Sequence, residues 1–245
     1  MNNETLVQLV ANHESLLKIK SPRDPQVLAA MRKVDRSIFI SQEGLESLPD
    51  PSFFSTYDGR LPSHTPLAER PYLNLPIHIG ADQTCSQPSL VGLMTDLLEI
   101  PLGARVLEIG TGCGYQTAIL AEMAGEQGHI TSIERIKSLV ELATRNLEQH
   151  FGSSYQHRVM VIHADGSSGY SAQQPYDRII FTAGICSKPE QFDFTLLREQ
   201  MPQGILLYPS MIGPMIKERY QEGMLTERIA LGHFGFVNLK NGTGP

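Results

Sequence analysis

The sequence predicts an α/β fold: a doubly wound, mostly parallel sheet with an amino-terminal helical module and carboxyl-terminal antiparallel strands. Three observations predict it. Short apolar runs alternate with helix-period stretches between residues 90 and 210. The run Val106, Leu107, Ile109 reads as a buried parallel strand. Glycines follow it at once, and Tyr115–Ala124 then has the spacing of a helix.

Residues 4–20 read as an amphipathic helix, with Leu6, Leu9, Val10, Leu16 and Leu17 near one face. The turn SPRDP ends at Asp24 and Pro25, a plausible N-cap and first helical residue. Val27, Leu28 and Met31 continue as a second short helix, and VDRSIFIS (34–41) closes the module. Residues 42–76 read as irregular, with Pro49, Pro51, Pro62, Pro66, Pro71 and Pro76 among Phe53, Phe54, Tyr57 and Tyr72. That is long for a structureless loop. It reads either as a wrap pinned over the core or as a substrate-facing wall.

HIGADQTCSQPSL (78–90) crowds Gln83, Thr84, Ser86, Gln87 and Ser89 ahead of Pro88, which opens an apolar helix through Leu98. The polar cluster is either a helix cap or part of a site. After the glycine loop, Ile130–Glu134 reads as a second strand and 136–151 as a helix. Val159–Ile162 is the third strand, followed by His163, Ala164, Asp165 and Gly166. Arg178–Phe181 is the fourth, Glu190–Gln200 a helix, and GILLYPS (204–210) the fifth strand. Residues 215–239 fit two further strands, His233, Phe234, Phe236 and Val237 belonging to the last. The expected organisation is one domain over 1–245, with helices and loop over 1–77 and the core over 78–245.

The loop Gly110, Thr111, Gly112 and Gly114 lets the backbone turn sharply and approach a ligand. It is not the dinucleotide pattern, because its third glycine comes one residue early. Glu108 is expected at the strand's carboxyl end, facing the cofactor. A carboxylate repels a pyrophosphate but attracts an ammonium and a sulfonium, which favours S-adenosylmethionine over NAD. Glu134 lies 24 residues after Gly110, near the ~20-residue spacing of a ribose-binding carboxylate. It could instead cap the helix over 136–151. Asp165 could accept from an adenine amino group, with Gly166 allowing close approach, or merely cap a turn. DGSSGY lacks the serine spacing of a hydrolase elbow.

The net charge of −6 and the absence of long Lys/Arg runs exclude an obvious nucleic-acid surface. The start MNNETLVQLV is not a basic and apolar leader, and no apolar run approaches the ~20 residues of a membrane span. Cys85, Cys113 and Cys186 are odd in number and widely spaced, as reduced cytosolic thiols would be. No His/Cys pattern has metal-site spacing, so no metal is expected.

These motifs, in this order, resemble the protein-L-isoaspartate (D-aspartate) O-methyltransferases, a Rossmann-like class I methyltransferase family. NLPIHIGADQTCSQPSLV resembles the family's segment ahead of the core, RVLEIGTGCGYQTAIL its cofactor motif, and HADGSSGY its G-D-G-x-x-G motif. VDRSIFIS, YDRIIFTAG, QMPQGILLYPS and GHFGFVNL follow as in the family, so the likeness spans roughly residues 5–240. The resemblance implies methyl transfer from S-adenosylmethionine to isoaspartyl residues of damaged proteins or peptides, in the cytoplasm. It puts Ser86 at the active-site serine, and Thr84, Glu134, Asp165 and Gly166 near the cofactor. Departures are the long 42–70 connection, Ala81-Asp82 where a glycine-containing pair is common, and Cys85 where the family has an aliphatic residue. Other readings are an enzyme esterifying aspartate in a dedicated peptide, one acting on a small-molecule carboxylate, and a non-catalytic binding module.

Overall fold

The computed structural model describes residues 1–13, 24–48, 65–185 and 192–240. Helix α1 (Asn3–Ala11) and α2 (Pro25–Lys33) pack through Leu6, Val7, Val10, Val27, Ala30 and Met31, all buried. Helix α1 stops at Ala11, because the Asn12 side chain and amide both return to the Gln8 carbonyl. The expected helix over 4–20 is therefore shorter, and Leu16 and Leu17 lie outside the described residues. Asp24 caps α2 by accepting from the Gln26 N–H at 2.8 Å, with Pro25 in the first turn, as expected.

The span 42–76 is not wholly irregular. It opens with α3 (Gln42–Glu46), capped by Ser41, and ends with a 3₁₀ segment, Leu67–Tyr72. Residues 49–64, with Phe53, Phe54 and Tyr57, lie outside the described residues. The polar stretch after it holds a hairpin, which the sequence reading missed. Strands β1 (Ile77–Gly80) and β2 (Gln83–Cys85) pair antiparallel, joined through Ala81 and Asp82 at φ +51° and +56°. Two left-handed residues are what a tight hairpin turn needs, and here they are supplied without glycine.

The main sheet contains β3 (Arg105–Ile109), β4 (His129–Glu134), β5 (Val159–His163), β6 (Arg178–Phe181), β7 (Gly204–Pro209), β8 (Ile212–Gln221) and β9 (Met224–Gly235). Its order is β5-β4-β3-β6-β7-β8-β9. The first five strands are mutually parallel, and β8 and β9 run antiparallel, as expected. Helices α4 (Pro88–Leu98), α5 (Tyr115–Ala124) and α6 (Lys137–Phe151) follow the predicted periods. Helix α7 is only Thr195–Glu199 within the expected 190–200. Phe236 and Val237 lie just past the end of β9.

Side chains alternate across β3 and β6. Val106 and Ile180 join the core under the amino-terminal helices, while Leu107, Ile109, Ile179 and Phe181 join the core on the other face. Both faces are covered, which is why these strands read as largely apolar runs. The order reverses at β3, whose neighbours are β4 and β6, so a crevice opens at the carboxyl ends of those strands.

Candidate active site

A cleft at that crevice is lined by the glycine loop Gly110–Cys113, the hairpin segment Gln83–Ser86, Glu134, Gly166, Thr182 and the carboxyl-terminal residues 237–240. Its empty space, open mouth included, is about 950 Å³.

The loop is fixed from beneath. The N–H groups of Gly110 and Thr111 donate to the Ile133 carbonyl at 2.8 and 3.3 Å. Gly110 sits at φ +105°, and a Cβ there would meet Thr182 Oγ1 at 2.3 Å, so the position needs glycine. Thr182 Oγ1 donates to the Ile109 and Gly110 carbonyls, tying β6 to the loop. Asn146 of α6 donates to the Cys113 carbonyl at 2.9 Å. Gly114, at φ +89°, packs on Leu147 and Ala143 of α6 and does not line the cleft. Its expected contact with a cofactor is corrected to a helix-packing role.

Glu134 lines the cleft and is held there by two backbone amides. Its Oε1 accepts from the Ile136 N–H and its Oε2 from the Gly112 N–H, each at 3.0 Å. The first bond steadies the entry to α6 and the second holds the glycine loop. The carboxylate is almost wholly buried, yet it lines the cleft. Each oxygen keeps acceptor capacity for a ligand hydroxyl.

Glu108 does not face the cleft, and this corrects the sequence reading. Ile109, not Glu108, ends β3, and alternation puts Glu108 on the face of Val106, under α5. There it is fully buried and its Oε2 accepts from Thr117 at 2.5 Å and Ser132 at 2.6 Å. Thr111 of the loop lies 2.6 Å from the same Ser132 hydroxyl, so a polar chain links loop to carboxyl. Burial pushes the Glu108 carboxyl up to about 7; the Ser132 and Thr117 hydroxyls oppose the rise and nearby Glu134 adds to it.

Between pH 4.5, its ordinary value, and about 7, the folded chain therefore holds a proton that the unfolded chain releases. Stability must fall as pH rises through that window, reaching a loss of roughly 3 kcal/mol above it. Glu108→Gln is expected to flatten this part of the stability–pH curve, measured by urea unfolding of both proteins. Identical slopes would contradict the assignment.

Asp165 does not line the cleft either. Its Oδ1 accepts from the Ser167 N–H at 2.9 Å, the turn-capping alternative, while its neighbours Ala164 and Gly166 do line it. Gly166 lies so close to β3 that a Cβ would meet Ile109 at 2.8 Å. Thr84 and Ser86 stand half-buried on the cleft's hairpin side. Ser86 is not a cap: the N-cap of α4 is Gln87, which makes no side-chain capping bond, and the Ser89 N–H is met by Asn74 Oδ1 at 2.9 Å. Among the described residues the Ser86 hydroxyl has no hydrogen-bond partner, which leaves it available to a ligand. None of the described residues of 65–76 lines the cleft.

Sequence reasoning missed Arg36. It is fully buried, and Nη1 donates to the Pro71 and Leu73 carbonyls at 3.0 and 2.9 Å. Nη2 donates to the Leu75 and Ser86 carbonyls at 2.9 and 3.1 Å. One guanidinium thus anchors the chain leading into the hairpin and the backbone of Ser86 itself. The only signal for it was an arginine set among Val34, Ile38, Phe39 and Ile40. Arg135, also cleft-lining, carried no motif, and the cleft-lining residues 237–239 entered the sequence reading only in the expected last strand and within GHFGFVNL.

The protein-L-isoaspartate (D-aspartate) O-methyltransferase family model matches residues 60–232. A protein-L-isoaspartate O-methyltransferase of Methanothrix thermoacetophila is 36% identical over 210 residues, covering 85% of this chain and 80% of its own. The one from Methanococcoides burtonii is 36% identical, covering 88% and 92%. A solved protein-L-isoaspartate O-methyltransferase superposes with TM-score 0.73 at 23% identity, over 99% of this chain and 67% of its own. A beta-aspartate methyltransferase from Plasmodium falciparum, in complex with S-adenosyl-L-homocysteine, gives 0.71 at 19% identity over 98% and 99%. These two structures share the fold described above.

Proposed function

The chain belongs to the protein-L-isoaspartate (D-aspartate) O-methyltransferase family, and from that premise we propose which of its residues hold the two substrates. The protein is an S-adenosylmethionine-dependent enzyme that methylates isoaspartyl residues, the first step of their repair. In this reading its partners are damaged proteins or peptides and the reaction runs in the cytoplasm. Among the described residues no helix is long and apolar enough to cross a membrane.

The cleft fits the cofactor. It offers a buried carboxylate, Glu134, for ribose hydroxyls and backbone free of side chains at Gly110, Gly112 and Gly166 for close approach. When bound, S-adenosylmethionine supplies an electrophilic methyl group on a sulfonium. Glu134 would take the ribose, Thr111 and the loop glycines the remainder of the nucleoside and its amino acid. Asp165 would shape the turn that presents Gly166 rather than reach the adenine from its present bond to Ser167. Glu108 would act at one remove, by holding Thr111 through Ser132. Thr84 would stand at the boundary between cofactor and acceptor.

The acceptor carboxylate is ionised at neutral pH and already a nucleophile, so no base is needed. It needs alignment and exclusion of water. Ser86 supplies a neutral donor that holds one carboxylate oxygen while the other is aimed at the methyl group. The observation that carries this reading is that Ser86, Glu134 and the glycine loop line one cleft.

Ser86→Ala should lower single-turnover methyl transfer about tenfold. That is less than the ~10²–10³ of a donor acting on growing charge, because the carboxylate loses charge as it reacts. Adenosylmethionine affinity and melting temperature should change little, since the hydroxyl caps no helix. A folded variant with wild-type turnover would remove Ser86 from the mechanism.

A further inference from the structure

Strands β1 and β2 form a sheet of their own and pair with no strand of the seven-stranded one. Ser86, just past the end of β2, must still face the glycine loop at a fixed distance if an acceptor carboxylate is to meet a methyl group. Ile79 of β1 packs over Gly112, where a Cβ would stand 3.2 Å from its Cδ1. That contact is apolar and non-directional. A directional link is made by Arg36.

Arg36 opens the short 3₁₀ segment Arg36–Phe39, which Asp35 caps by accepting from the Ser37 N–H at 2.9 Å. On one side its Nη2 donates to the Ser86 carbonyl at 3.1 Å. Among the described residues that carbonyl accepts from no other nitrogen. On the other side the guanidinium carbon stands 5.7 Å from the ring centre of Tyr115, within the ~6 Å reach of a cation–π contact. Tyr115 is buried, lines the cleft and opens α5 directly after Gly114. Its ring therefore belongs to the helix into which the glycine loop runs. Phe39, from the same 3₁₀ segment as Arg36, packs on that ring with centres 5.7 Å apart.

We propose that Arg36 is a positioning residue for methyl transfer: by holding the Ser86 backbone against the start of α5, it sets the distance between acceptor and methyl donor. The proposal rests on the reading of Ser86 given above. A guanidinium is planar and forked, so its bonds fix direction as well as distance. An ammonium in its place keeps the charge but is a point on a flexible stem, and the Ser86 backbone would drift in a chain that still folds. A misplacement near 1 Å can cost ~10²-fold in a step that needs alignment. Arg36 does not itself line the cleft, so neither substrate loses a contact with it. What is lost is alignment, which shows in the transfer step and not in cofactor affinity.

The test is a double-mutant cycle on the full chain: Arg36→Lys, Ser86→Ala and both together. Each is read by single-turnover transfer to an isoaspartyl peptide, calorimetric Kd for adenosylmethionine, and melting temperature. Arg36→Gln, a neutral probe of the same bonds, runs beside Arg36→Lys and should behave alike. Val27→Ala, a buried change in α2 outside the hairpin and the cleft, controls for destabilisation alone. Arg36→Lys should slow transfer about tenfold at wild-type Kd, and Val27→Ala should leave the rate unchanged. In the Ser86→Ala background Arg36→Lys should cost no more than about twofold, because the group it aligns is gone. Wild-type transfer by the Arg36 variants, an equal slowing by Val27→Ala, a slowing matched by weakened adenosylmethionine binding, or full additivity with a slow Ser86→Ala would overturn the proposal. Ser86→Ala at wild-type speed would instead defeat the reading of Ser86. Arg36→Lys then decides alone: slow transfer at unchanged Kd supports its hold on the acceptor backbone, and wild-type transfer overturns it.

Discussion

Arg36→Met should lower the unfolding free energy by about 3–4 kcal/mol, roughly 1 kcal/mol for each of the four backbone carbonyls left without a donor. Methionine fills much of the volume but donates nothing. The Pro71, Leu73, Leu75 and Ser86 carbonyls would be stranded around an apolar side chain. Arg36→Lys should fall between, because one ammonium has three protons and lacks the fork that reaches four acceptors at once. Urea unfolding, with the midpoint and slope read together, measures both. A loss under about 1 kcal/mol for the methionine variant would show that these carbonyls find other donors, or water, and that Arg36 is not what anchors the hairpin.

Glu134→Ala should weaken adenosylmethionine binding by about 1–3 kcal/mol, the range for losing hydrogen bonds to a charged acceptor. This is roughly 5- to 150-fold in Kd by the affinity scale. Two effects combine. The ribose hydroxyls lose their acceptor, and the Gly112 and Ile136 N–H groups lose theirs. Glu134→Gln separates them, since its single carbonyl can keep one amide while its NH₂ opposes the other. Calorimetric titration with adenosylmethionine, alongside melting temperature, reads affinity and fold together. Unchanged affinity in a folded alanine variant would remove Glu134 from the ribose role.

Where the sequence was legible, the information was local. The run Val106–Ile109, the glycines after it and the helical period of 115–124 lie within twenty residues, and each obeys a short-range rule. The hairpin of Ile77–Cys85 was not legible, because its strands are short and its turn uses Ala81 and Asp82 in place of glycine. Glu108 was misplaced for a different reason. Its strand was right, but the direction of its side chain depends on parity along β3 and on where α5 comes to rest. Asp165 shows the same limit: the strand end was found, and the bond to Ser167 decided where the carboxylate points. Arg36 joins segments dozens of residues apart in the chain. No pattern within one segment encodes such a contact.

The central claim is that this cleft brings an isoaspartyl carboxylate to the methyl donor. It is tested most directly by single-turnover transfer from labelled adenosylmethionine to matched peptides that differ only in isoaspartyl against ordinary aspartyl linkage, counted as base-labile methyl ester. The account predicts ester on the isoaspartyl peptide alone, its rate reduced by Ser86→Ala. Equal labelling of both peptides, or labelling of the aspartyl peptide only, would contradict it.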